Sequence, residues 1–149
     1  SESGMAVLVE TKTGAVRASS AWLCEEHVGT PEWQKAIESI KMISAAVNGG
    51  SIQTPYLTEM ISGSDGSMTE YHDGNTEKIM EKEESDELWQ TWTASSVADG
   101  YKNIIVAEQK DEKHTDGSET HVTAGYVQDR DLAFYIRTEK AADEKITDD

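Results

Sequence analysis

Asp99, Glu108 and Lys110 are the residues whose types and order most directly suggest chemistry. They lie in DGYKNIIVAEQKDEKH, residues 99–114, where an apolar run ends in Glu108-Gln109-Lys110 and Asp99 stands nine residues upstream. Two carboxylates and a lysine in this order can share a magnesium ion and orient an attacking water. The same residues have a plainer use. Asp99-Gly100 suits a tight turn, and the charges at the end of the run suit the solvent-facing arm of a hairpin. Charge decides for the hairpin. A nuclease holds a polyanion through clustered Lys and Arg. This chain of 149 residues has 29 Asp and Glu against 13 Lys and Arg, a net charge of −16, and no basic cluster.

The Asp…Glu-x-Lys order resembles that of restriction-type nucleases over three residues only, and the strand runs on into DEKH with no helix to complete such a fold. Cys24 and His27 have a C-x2-H spacing that could join His114 and His121 at zinc. Structural zinc uses two close pairs, and here the second pair is seven residues apart with no second cysteine. As the sole cysteine, Cys24 forms no internal disulfide and reads as a small buried hydrophobe. The turns SGSDGSMTEYHDGN and HTDGSETH are acidic but lack the ligand spacing of a calcium loop. His72-Asp73 is a neighbouring pair whose side chains on a strand would point to opposite faces. There is no G-x-S-x-G elbow, phosphate-binding loop or dinucleotide fingerprint. No catalytic residue, metal or cofactor is therefore expected.

The aromatic and acidic residues point instead to contacts. Trp89 and Trp92 are three apart. On a strand they face opposite sides, one toward the core and one outward, where Tyr101, Tyr126 and Tyr135 could join an interface. Glu81, Glu83, Glu84, Asp86 and Glu87 form an acidic patch. An excess of acid disfavours nucleic acid and anionic membrane surfaces, and reads first as a solubilising surface, then as a match for a basic partner or an adaptation to high salt.

Around these residues the elements read as follows. MAVLVETKTGAVRAS alternates and turns at Thr13-Gly14, a hairpin. In GTPEWQKAIESIKMISAAVNGG, Thr30 caps, Pro31 opens, and Trp33, Ala36, Ile37, Ile40, Ser44 and Val47 make an apolar stripe beside Ile43, stopped by Asn48-Gly49-Gly50. TPYLTEMISG reads as a shorter helix of the same grammar. Asp65-Gly66, Asp73-Gly74, Asp99-Gly100 and Asp116-Gly117 then read as hairpin turns joining SMTEYH, NTEKIMEK, LWQTWTASSV, YKNIIVAEQK and THVTAGYV, with QDRD leading to LAFYIRTE. In that last run Leu132, Phe134 and Ile136 share one face, and Ala133, Tyr135 and Arg137 the other. TEKIMEKEESDELWQ reads as an exposed strand followed by an acidic loop, because its apolar residues fall into two distant pairs.

The expected fold is α+β: an antiparallel meander of about five or six strands plus an N-terminal hairpin, packed on one long amphipathic helix. Residues 1–149 make a single domain, 1–4 a processed or added leader, and 139–149 an acidic C-terminal tail. No apolar run approaches a membrane span, so a soluble chain is expected in an unassigned compartment. The function expected is a non-enzymatic interaction or assembly protein, a subunit of a larger particle, tube or filament. The alternatives are an acidic inhibitor or immunity-type protein that binds a basic partner as a nucleic-acid mimic, and a small enzyme whose pocket residues are scattered. The partner is a protein, a second copy or a basic chain, and neither nucleic acid nor membrane.

Overall fold

The computed structural model describes residues 2–19, 31–57 and 75–142. The chain opens with strands β1 (Glu2–Glu10) and β2 (Ala15–Ser19), then helix α1 (Pro31–Val47) and the short strands β3 (Ser51–Gln53), β4 (Tyr56–Leu57) and β5 (Thr76–Lys78). Helix α2 (Lys82–Ala98) follows, then β6 (Ile104–Lys113), β7 (Glu119–Val127) and β8 (Leu132–Lys140). The class is α+β, as the sequence implies.

The main sheet runs β4-β2-β1-β8-β7-β6, and β3 pairs with β5 in a two-stranded ribbon. The β1–β2 hairpin forms where expected. Its turn brings Gly14, at φ +84°, under the carbonyls of Gln53 and Thr54, where a Cβ would lie within 2.9 Å of both oxygens. The meander β6-β7-β8 is antiparallel, and β8 closes onto β1 from Glu2↔Lys140 to Glu10↔Leu132. Glu2–Gly4, expected as a leader, and Glu139–Lys140, expected as the start of a tail, are thus strand residues.

Alternation sets the faces. Met5, Val7, Val9, Val122, Ala124, Ala133 and Tyr135 are buried in one cluster with Trp33, Ala36, Ile40 and Ile43 of α1. Each large apolar side chain buried this way stabilises the fold by about 1.5–3 kcal/mol. Helix α1 matches its expected stripe and stops at Gly49 and Gly50, both at positive φ. Thr30, its expected cap, lies outside the described residues.

Three expectations need correction. First, residues 82–98 are a helix, so two helices cover the sheet rather than one. LWQTWTASSV is not a strand, and EKEESDELWQ is not a loop. The inward face of α2 is Ser85, Leu88, Trp89, Trp92 and Ser96, at helical spacing. Two serines stand where a hydrophobic pattern leaves gaps. Ser85, fully buried, places its Oγ 2.9 Å from the Ala46 carbonyl oxygen and 3.2 Å from that of Ala45, at the end of α1. Second, Asp99-Gly100 ends α2 rather than turning a hairpin. Gly100 N–H bonds Val97 O and Tyr101 N–H bonds Ser96 O, with Gly100 at φ +88°, which is the Schellman helix stop. Third, Tyr56–Leu57, expected in a short helix, pair in parallel with Ala15–Val16. Residues 58–63 of that segment, the SMTEYH run and the turns at Asp65 and Asp73 lie outside the described residues.

Asp116-Gly117 does turn the β6–β7 hairpin, through a three-residue loop. His114 N–H bonds Ser118 O, Gly117 N–H bonds His114 O, and Gly117 alone of the loop has positive φ. The Asp116 carboxylate accepts from the Ser118 hydroxyl and N–H, and these bonds hold its pKa below the ordinary value.

Candidate functional site

Helix α2 covers the inner half of β6 and stops. Beyond it lies an open groove of about 500 Å³. Its floor is Val122, Tyr135 and Arg137, and its walls are Ser39 and Met42 of α1 and Leu88 and Trp92 of α2. Its open rim is Glu108, Lys110 and Glu112 on β6, the last strand of the sheet. A bulge between Val106 and Glu108 re-aims β6 so that Glu108, Lys110 and Glu112 all look toward the helix side.

The residues of the hydrolytic reading are not assembled here. Glu108 and Lys110 are adjacent, with Lys110 Nζ 3.2 Å from Glu108 Oε2, while Ser39 donates its hydroxyl to Glu108 Oε1 at 2.9 Å. Asp99 ends α2 and does not line the groove. Some of the groove's charges are paired, Glu108 with Lys110, and Arg137 with Glu139 at 2.6 Å, while Lys35, Glu38 and Glu112 also line it. Burial pushes the Tyr135 phenol up, with the nearby Glu108 charge adding to it.

The edge of β6 has two halves. At its inner half Val106 N–H points away from β7 and bonds Ser96 Oγ of α2 at 2.8 Å. At its outer half Gln109–Lys113 is exposed and carries charge on both faces. Such charges keep an edge strand from indiscriminate pairing.

The aromatic residues expected at an outer surface are mostly inside. Trp92, Tyr126 and Tyr135 are buried. Trp89 is half-buried and meets Tyr126 edge-to-face, with ring centroids 5.5 Å apart. The Tyr126 hydroxyl bonds the Asp131 carboxylate, and burial first, then that bond, pushes its pKa up. Tyr101 alone is exposed, at 42%. The five residues therefore do not form one surface. The exposed apolar side chain of the sheet is Ile136, at 41%, on the face away from the helices.

The acidic patch lies on the first turns of α2. Glu81, Glu83, Glu84, Asp86 and Glu87 are exposed there, with Glu81 held by Lys78 at 2.8 Å and Asp86 by Lys82 at 2.9 Å. The histidines of the zinc reading part company. His114 Nε2 lies 2.8 Å from Thr120 Oγ1, and His121 stands on the opposite sheet face between Asp111, at 2.6 Å, and Glu119, at 3.1 Å. Cys24, His27, His72 and Asp73 lie outside the described residues. Among the described residues no group of three or more His, Cys, Asp or Glu could hold a metal ion, and no helix is long and apolar enough to cross a membrane.

Ser39, Ser96 and Arg137 shape this region, and pattern reading missed all three. Their roles come from contacts between distant segments. The alternation of Glu108, Lys110 and Glu112 is the local signal that marks the rim. Comparison with known protein families, with curated proteins and with solved structures finds no match.

Proposed function

We propose that this chain is a non-enzymatic interaction protein that works by joining other polypeptides, as a subunit of a larger assembly. The observation that carries this reading is the split edge of β6. Its inner half is closed by the Ser96 hydroxyl on Val106 N–H, and its outer half, Gln109–Lys113, is left exposed. A strand end that is capped in one half and open in the other is a place where another chain can add hydrogen bonds. The groove beside it, where Glu108 is paired with Lys110 and the Tyr135 side chain is buried, offers a partner's side chains a place to pack.

The test is native mass in solution across protein concentration. Assembly predicts a species heavier than the 16.4 kDa chain that grows with concentration and survives moderate salt. A chain that remains 16.4 kDa throughout defeats the reading.

A second reading, capture of a basic protein, is favoured by the acidic row on α2 and the net charge of −16. Steering by opposite charge gives tight binding that weakens steeply with salt. Lysine substitution at Glu81, Glu83, Glu84, Asp86 and Glu87 should then abolish binding to a basic partner. Binding left intact by those changes removes this alternative.

A further inference from the structure

We infer that the outer half of β6 is a self-pairing edge, at which two copies of this chain join antiparallel about a twofold axis at Asp111 into one continuous sheet. This rests on the interaction reading above and names its partner and its surface.

Backbone direction comes first. His114 gives its N–H to Ser118 O, so that residue faces β7. Register pairs Glu112, Lys110 and Glu108 with Thr120, Val122 and Ala124, so these alternate residues face β7 as well. Gln109, Asp111 and Lys113 therefore turn both N–H and C=O away from β7, toward solvent. Centred on Asp111, an antiparallel neighbour meets these outward groups. The two Asp111 residues exchange two hydrogen bonds, and Gln109 of each copy does the same with Lys113 of the other.

Charge and the capped inner half together select this register. A twofold axis normal to the sheet keeps the helix side of one copy on the helix side of the other. Centred on Asp111, it sets Lys110 of each copy opposite Glu112 of the other, two opposite-charge pairs at cross-strand distance. Centred on Lys110, it sets lysine against lysine and Glu108 against Glu112. Centred on Glu112, it sets two glutamates face to face. Centred on Gln109, it again sets Glu108 opposite Lys110, but it draws in Val106 and Ala107, where the strand bulges and the Val106 N–H is already held by Ser96. The cost at Asp111 is met locally: each carboxylate is held by its own His121 at 2.6 Å, and Lys113 of the other copy lies diagonally across. The hydrogen bond that α2 makes to this edge is at Val106, outside the span Gln109–Lys113 that pairs.

The experiment is sedimentation velocity over a concentration series, with folding checked by thermal melts. The wild-type chain should dimerise. Lys110→Glu alone and Glu112→Lys alone each place like charges at both contacts and should raise the dissociation constant about tenfold or more. An equimolar mixture of the two variants places opposite charges at both contacts again and should recover dimer, a result that damaged chains cannot give. Asp111→Pro removes an N–H that faces away from β7 and has no partner among the described residues, and should leave a folded monomer. If the wild-type chain self-associates but these variants leave it unchanged and mixing does nothing, the β6 edge is not the contact, although the assembly reading survives. If the wild-type chain is a monomer up to its solubility limit, both fall.

Discussion

His121 shows how far a single exposed side chain can be reasoned about. Its ring lies between two carboxylates, and the bond to Asp111 first, then the bond to Glu119, raise its pKa above the ordinary value of 6.5. The other charged neighbours on that face are Lys113, which lies 3.8 Å from Glu119, and Lys140 on β8. A histidine whose folded pKa is raised stabilises the fold fully below its unfolded value and loses that contribution as pH rises through the folded value. The His121 imidazole should therefore titrate by NMR with a midpoint above 6.5, and Asp111→Asn should bring it down. Chemical stability should fall across the same window in the wild type and flatten in His121→Gln. A midpoint at or below 6.5 contradicts the geometry. Ser85 makes a second case at this scale. Its hydroxyl is fully buried against the last carbonyls of α1. Ser85→Ala should cost about 0.5–1.5 kcal/mol in urea unfolding. A bulkier Ser85→Leu, forced between two helices, should cost about 1–3 kcal/mol.

At the scale of elements, the two helices differ in how openly the sequence declares them. Helix α1 carries Pro31 at its first position, an apolar stripe and a glycine stop, so composition and tertiary need agree. Helix α2 buries Ser85 and Ser96 beside Leu88, Trp89 and Trp92, and a count of apolar residues sees two separated pairs. Its Asp-Gly stop also has the look of a hairpin turn, because both structures need a residue at positive φ. The strands of the meander were legible from alternation and turn chemistry. That β6 lies at the edge was not, since it follows from β8 pairing with β1 across nearly the whole chain. The half-capped edge depends on one hydroxyl. Ser96→Ala should leave Val106 N–H unpartnered in a part-buried setting and cost about 1–3 kcal/mol. The Val106 amide should then exchange with solvent much faster than in the wild-type protein. Unchanged protection would mean that α2 does not hold this edge. Gly50 ties α1 to the start of α2 and gives a harsher test. It sits at φ +113°, and a Cβ there would collide with the Met80 carbonyl oxygen. Gly50→Ala should therefore destabilise the protein more than an ordinary glycine-to-alanine change at an exposed turn.

For the whole molecule the governing quantity is a charge of −16 on 149 residues. Two effects of salt oppose each other. Screening weakens attraction within pairs such as Lys78–Glu81 and Lys82–Asp86, whose side chains are more than half exposed. Pairs of this kind contribute about 0–1 kcal/mol each. Screening also weakens repulsion among the acids left in excess, which is spread over the whole surface and acts over longer distances. The excess of acid is larger than the number of basic residues available to pair with it, so relief of repulsion should win. Raising sodium chloride from about 10 mM to about 150 mM shortens the screening length from roughly 30 Å to 8 Å. The thermal midpoint should rise over that interval. Association through β6 would rise too, because two chains of the same sign approach each other, and dimerisation stabilises the folded state by mass action. The two contributions separate by concentration. In Asp111→Pro, the salt-dependent gain should persist but lose its dependence on protein concentration, whereas the wild-type chain should show both. A midpoint that falls with added salt at low protein concentration would mean that the local ion pairs, rather than the net charge, set the electrostatic balance of this fold.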